Sequence, residues 1–192
     1  DRDAMLVVPP GIDPRRTIPL VVLFHGGGGS AEKILPMLEE HARSRGFLLL
    51  VPQSLLPTWD LVIGGHGPDR ERLDLALTEV ASRYMLDPLH IAFAGHSDGG
   101  SYALSTGIAN GHVVTHLIIS SAGFLSVHLQ AGSPRIFISH GTRDEQIPID
   151  RSARVHTSKL RDVGYDVTSV EYDGPHAYQP EVVTQAVEFV FG

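Results

Sequence analysis

The chain has no cysteine among its 192 residues. That excludes a thiol nucleophile, a disulfide framework and a Cys-ligated metal site. It decides little about compartment, because a chain without cysteine tolerates either redox state. No apolar run reaches the ~18 residues that a transmembrane helix needs, so stable membrane insertion is not expected. Basic residues are in the minority: 15 Lys and Arg stand against 22 Asp and Glu, a formal net charge of -7. No basic patch stands out, and nucleic acid is not an expected partner. Internal repeats and low-complexity segments are also missing. What remains is a length suited to a single domain over residues 1–192, large enough to bury a real core. The chain opens on Asp1 rather than Met, so a signal peptide upstream of it would not be seen; the compartment stays open, with cytoplasmic as the default because the given sequence holds no signal peptide.

Short apolar runs alternate with helical stripes along the chain. Met5–Val8, Leu20–Phe24, Phe47–Val51, residues 90–94, Leu117–Ser120, Arg135–Ser139 and Val167–Tyr172 read as strands. Several are apolar at every position, as expected of parallel strands buried on both faces. Helices are predicted from Ser30 towards Arg45, where Pro36 either kinks the helix or marks a first turn. Further helices are predicted over Asp69–Tyr84, after Ser97 to a cap at Asn110-Gly111, over Asp150–Val163 before Gly164, and over Pro180–Phe191. Such alternation predicts an α/β fold: a mostly parallel twisted sheet with helices on both faces. Residues 52–68 form the longest stretch without periodicity and hold Trp59, the one tryptophan.

The segment Gly95-His96-Ser97-Asp98-Gly99 follows a strand and opens a small-residue helix. G-x-S-x-G alone arises by chance in roughly one chain in fifteen of this length. Strand before and helix after give it weight, because that order is the context of a nucleophile elbow. Sites in open α/β sheets form at the carboxyl ends of strands. Each of the relevant loops carries a reactive residue type: His25-Gly26-Gly27 after residues 20–24, and Ser97 after 90–94. His140-Gly141-Thr142-Arg143-Asp144 follows 135–139, and Asp173-Gly174-Pro175-His176 follows 167–172. A serine hydroxyl needs a base, and His176 is the expected one, with Asp144 to orient it. His25 and His140 are the competing bases. Asp150, read as a helix cap, and Asp173, read as a turn former, compete for the acid's place. An oxyanion needs two backbone N–H donors. Asp98, just after the nucleophile, and Gly27, preferred over Gly26, are the candidates. A phosphate cradle at Gly26–Gly29 is disfavoured, because no Gly-Lys-Ser/Thr follows and no G-x-G-x-x-G is present.

These segments resemble the α/β-hydrolase superfamily of serine esterases. They are similar to its phospholipase/carboxylesterase (acyl-protein-thioesterase-like) branch and to its polyhydroxybutyrate-depolymerase/feruloyl-esterase-like branch. The matching stretches are Leu23-Phe24-His25-Gly26-Gly27, Asp87-Pro88, Gly95–Gly100, His140–Asp144 with Ile147-Pro148, and Gly174-Pro175-His176. The resemblance implies hydrolysis of a small ester or thioester without metal or cofactor. A peptidase or amidase on the same triad, or a catalytically idle small-molecule binder, are the alternatives. Only residues 121–134 stand where relatives with a cap domain carry an insertion, so a minimal fold without a cap is expected. The mouth above Ser97 should then be open and suited to short acyl groups. Gly26, His96 and Trp59 are the expected pocket residues, with the His96 ring directed away from Ser97 along the turn. Trp59 has a second reading, as an anchor that holds the loop 52–68 down.

Overall fold

Burial on both faces explains the sheet. In a computed structural model, which describes residues 4–13, 15–64, 67–127 and 129–192, seven strands form one sheet. They are β1 (Met5–Val7), β2 (Ile18–Phe24), β3 (Leu48–Val51), β4 (Leu86–His96), β5 (His116–Ser120), β6 (Arg135–Gly141) and β7 (Val167–Tyr172). Their order is β1-β3-β2-β4-β5-β6-β7. β1 runs antiparallel to β3, and every other pairing is parallel. On β2, Leu20, Val22 and Phe24 enter one core cluster while Val21 and Leu23 enter the other. Side chains alternate faces, so a strand covered on both sides must be apolar throughout.

Helices α1 (Ala31–Ile34), α2 (Glu39–Arg45) and α6 (Pro180–Phe191) cover one face. Helices α3 (Pro68–Arg83), α4 (Asp98–Ala109) and α5 (Ala153–Asp162) cover the other. The first helical segment is broken, and Pro36 sits in a 3₁₀ turn, Leu35–Met37, between α1 and α2. Proline is tolerated in a first turn, and here it forces a new one. The helix expected from Asp150 begins instead as a 3₁₀ turn, with α5 starting at Ala153. Asp150 does not cap it; its carboxylate pairs with Arg154 at 2.7 Å. β4 is longer than expected, because residues from Leu86 already pair alongside Ile18. Between β5 and β6 the described residues form no helix, only an isolated bridge from Gly132 to Gly111. Among the described residues no helix is long and apolar enough to cross a membrane.

The non-periodic segment after β3 is ordered by two buried carboxylates. Asp69 Oδ1 accepts Leu55 N–H at 2.8 Å and Oδ2 accepts Asp60 N–H at 3.0 Å. Asp60 Oδ2 accepts Gly67 N–H at 3.0 Å and Asp69 N–H at 3.1 Å. Loop backbone that cannot join the sheet still needs partners, and this reciprocal pair supplies five of them, Leu61 N–H on Asp60 Oδ1 at 2.7 Å included.

Candidate active site

β4 ends under the turn that holds Ser97. Ser97 has φ 58° and ψ -124°, a left-handed conformation rare for a residue with a side chain. Close backbone approach forces it. A Cβ on Gly95 would lie 2.3 Å from Gly99 O, and one on Gly99 would lie 2.1 Å from Phe24 O. Only glycine fits at either place, so strand, turn and helix press together and Ser97 takes the strain.

The loops after β6 and β7 bring the partners in. Thr142 N–H donates to Tyr172 O at 2.8 Å and Arg143 N–H to Gly174 O at 3.0 Å, which extends the β6–β7 pairing past the strands. His176 Nε2 lies 2.9 Å from Ser97 Oγ. His176 Nδ1 lies 2.6 Å from Asp144 Oδ2. Asp144 Oδ1 accepts Gln146 N–H at 3.0 Å and Ile147 N–H at 2.8 Å. Burial alone would raise the Asp144 pKa, but the Ile147 N–H and the His176 ring outweigh it and hold the carboxyl below its usual range. Asp173, the rival acid, pairs with Arg143 at the surface at 2.6 Å.

His25 is occupied elsewhere. Its Nε2 accepts Ser54 N–H at 3.2 Å and lies 3.1 Å from Gln53 Nε2. Its Nδ1 then carries the proton and donates to Gly26 O at 2.8 Å. Gly26 O also accepts Gly29 N–H at 3.0 Å. In a trans peptide the C=O and the following N–H point in opposite directions. Tying Gly26 O to the His25 ring therefore turns Gly27 N–H the other way. A Cβ on Gly26 would sit 3.3 Å from Ser97 Cβ, and one on Gly27 2.4 Å from Asp98 Oδ2, so both glycines flank the serine turn. Asp98 N–H opens α4 and has no acceptor within its own helix. The Asp98 carboxylate accepts Thr58 Oγ–H at 2.7 Å and ties the 52–67 loop to the elbow.

Two expected pocket residues stand differently from the reading of the sequence. The His96 ring does not turn away from the site: its centroid is 4.9 Å from that of His176 and 5.8 Å from that of Tyr178. Its Nδ1 lies 3.0 Å from Ser120 Oγ. Burial, then the nearby His176, push its pKa down to about 4. Trp59 is not a pocket wall. It is 1% exposed, stacks on Tyr102 at 4.8 Å and meets Phe24 edge-on at 5.2 Å. Its indole N–H donates to His25 O at 2.8 Å. A buried indole needs an acceptor, and here the acceptor belongs to the glycine loop. Gln53, Thr58 and Ser120 escaped the sequence reading, since no local pattern marks a polar residue that bonds across 22 to 40 positions.

No protein-family model matches the chain, and no curated protein sequence matches it. Solved structures do. The chain is similar to esterase PE8, at 19% identity and a TM-score of 0.80, over 98% of this chain and 97% of that one. It is similar to esterase 2 of Thermogutta terrifontis with butyrate bound, at 18% identity and a TM-score of 0.76, over 98% and 88% of the two chains. The same esterase phosphorylated by paraoxon aligns at 18% identity and a TM-score of 0.76, over 97% and 85%. The chain thus has the α/β-hydrolase fold, in a minimal form without a cap.

Proposed function

We propose that this protein is a serine carboxylic-ester hydrolase that works through an acyl-enzyme on Ser97. The observation that carries the reading is the unbroken line from Ser97 Oγ to His176 Nε2, and from His176 Nδ1 to Asp144 Oδ2, at 2.9 and 2.6 Å. His176 takes the Ser97 proton as the Oγ–carbonyl carbon bond forms, and the carbonyl π pair moves onto oxygen. Gly27 N–H and Asp98 N–H receive that oxyanion. When the C–O bond of the ester breaks, His176 returns the proton to the departing alkoxide. Water then repeats the sequence on the acyl-enzyme and releases the acid. Asp144 holds the His176 tautomer and offsets the imidazolium charge. Every group these steps call on belongs to the chain, so the reaction needs neither metal nor cofactor.

Substrates of this reading are small, short-acyl esters or thioesters. Two things support that size. The 121–134 connection is too short to fold over Ser97 as a separate layer, and a similar esterase has been solved with butyrate bound. The test is a fluorophosphonate probe followed by peptide mass spectrometry, with a panel of p-nitrophenyl esters, thioesters and anilides. Labelling of Ser97 and turnover of short esters are expected. Labelling with anilide turnover favoured would make it an amidase. No labelling would leave an idle fold used as a binder.

A further inference from the structure

Asp144 has one polar neighbour more than a triad acid requires. Beyond Gln146 N–H and Ile147 N–H on Oδ1 and His176 on Oδ2, a second imidazole faces Oδ2: His140 Nε2, at 3.0 Å. His140 stands at the end of β6, four residues before Asp144, and its side chain is 1% exposed. The same Nε2 lies 2.8 Å from Ile147 O. A carboxylate and a backbone carbonyl are both acceptors only, so Nε2 must carry hydrogen. The other ring nitrogen, Nδ1, is buried and has no hydrogen-bond partner among the described residues. A proton on Nδ1 would be a buried donor with nothing to accept it, on a ring that would then carry a charge. Geometry alone therefore makes His140 a neutral Nε2–H imidazole.

We infer that His140 is a positioning residue for Asp144: its single N–H, donated to Ile147 O and lying 3.0 Å from Asp144 Oδ2, fixes the turn that holds the carboxylate and offsets part of its charge. The inference rests on the triad reading above. Its first consequence is mechanical. Ile147 N–H holds Oδ1 while Ile147 O accepts the His140 N–H. The turn 144–147 and the β6 end are thereby locked to one carboxylate orientation, the one that meets His176. The second consequence is electrostatic. The His140 N–H beside Oδ2 offsets part of its charge, so the His176 imidazolium is held less tightly than by a carboxylate with no such neighbour.

Other charges near His140 are constant over the working range. Glu171 pairs with His140 across the β6–β7 register and is held ionised by Arg154. His156 from α5 and His96 from β4 both have pKa values depressed chiefly by burial, so both are neutral at neutral pH. Asp144 itself is held below its usual range. The acid limb of kcat/KM then reports the base, His176.

The test uses His140→Phe, which keeps a flat ring and removes the donor, and His140→Gln, which restores an N–H at the same reach. For His140→Phe, kcat should fall by roughly tenfold to a hundredfold, the scale of a small misplacement of a catalytic group. KM should change little, and the acid limb should move to higher pH. His140→Gln should recover the limb and most of kcat. A folded His140→Phe enzyme with an unmoved limb and kcat within about twofold of wild type overturns the inference. If the Phe variant does not fold, 15N NMR of the wild-type His140 ring decides. A protonated Nε2 and bare Nδ1 are expected; an Nδ1–H tautomer overturns it. Asp144→Asn separates the two levels. If it leaves activity whole, the triad reading fails and takes this inference with it. If it abolishes activity while both His140 variants behave as wild type, only the positioning role is lost.

Discussion

The loops at the carboxyl edge of the sheet and the space beneath α3 are built on opposite plans. At the edge, polar atoms close on one another: His25 on Gly26 O, Gln53 on Ala31 N–H, Thr58 on Asp98, Trp59 on His25 O. Beneath α3 lies a cavity of about 660 Å³ lined by Leu61, Leu73, Leu77, Phe93, Val114 and Tyr102, among others. α3 buries Leu73 and Val80 yet leaves Leu75 71% exposed. Its firm attachment is the Asp60–Asp69 clamp at one end. Hydrogen bonds are directional and fix a group within tenths of an ångström, whereas a void offers its lining no partner at all. Rigidity is concentrated where the proposed chemistry occurs, and the far flank is left loose.

The largest expected effect comes from the tight region. Ser97→Ala should lower kcat/KM by about 10³-fold or more while leaving the melting temperature within a few degrees. Steady-state kinetics and thermal denaturation on the same sample check it. Trp59→Ala joins the two regions, because the lost indole opens the space between Tyr102 and the glycine loop. It should cost about 3–5 kcal/mol of stability, read by urea denaturation, and leave the acyl-length ranking of esters unchanged. A changed ranking would return Trp59 to the pocket wall.

Acid should distinguish the buried histidines next. His96 and His116 are pushed down to about 4, chiefly by burial, and His156 is lowered for the same reason. Unfolded, each takes a proton near pH 6.5, while the folded forms stay neutral. Between those values the unfolded chain binds more protons, so stability falls as pH drops from about 6.5 towards 4. His96→Gln should flatten part of that slope, seen as a smaller loss of melting temperature between the two pH values. The smallest effect belongs to the loose flank. Leu77→Phe adds volume beside the cavity and should raise stability by about 0.5–1 kcal/mol with kcat/KM unaltered. A drop in activity would mean that the two regions are coupled.

The sheet was legible because burial on both faces leaves a strand no choice but apolar residues. The chain order of Ser97, Asp144 and His176 was legible because each stands just past such a strand. The direction of the His96 ring was not, since Gly95 and Gly99 set the turn and the ring follows Ser120 and His176. His140 and Asp144 are four apart, a spacing visible in the sequence. Only the fold of the 144–147 turn makes it a contact. Trp59 failed as a pocket residue for a related reason: an aromatic in a polar loop reads as exposed until the carbonyl it serves is known. The Asp60–Asp69 clamp left one trace, an acidic residue directly after Pro68 at a helix start, which is ordinary enough to pass unnoticed.

The contact of Gly99 with the Phe24 carbonyl has an evolutionary side. Main chain meets main chain there, Gly99 against the carbonyls of Phe24 and His25. The spacing between nucleophile and oxyanion donors is therefore not something an ordinary substitution in the pocket can tune. Substitutions in the side chains of the surrounding loops can reshape what enters while the distance that governs bond making stays constant. Such a protein can drift in diet without drifting in trade, and a laboratory library restricted to those walls would search substrates rather than reactions.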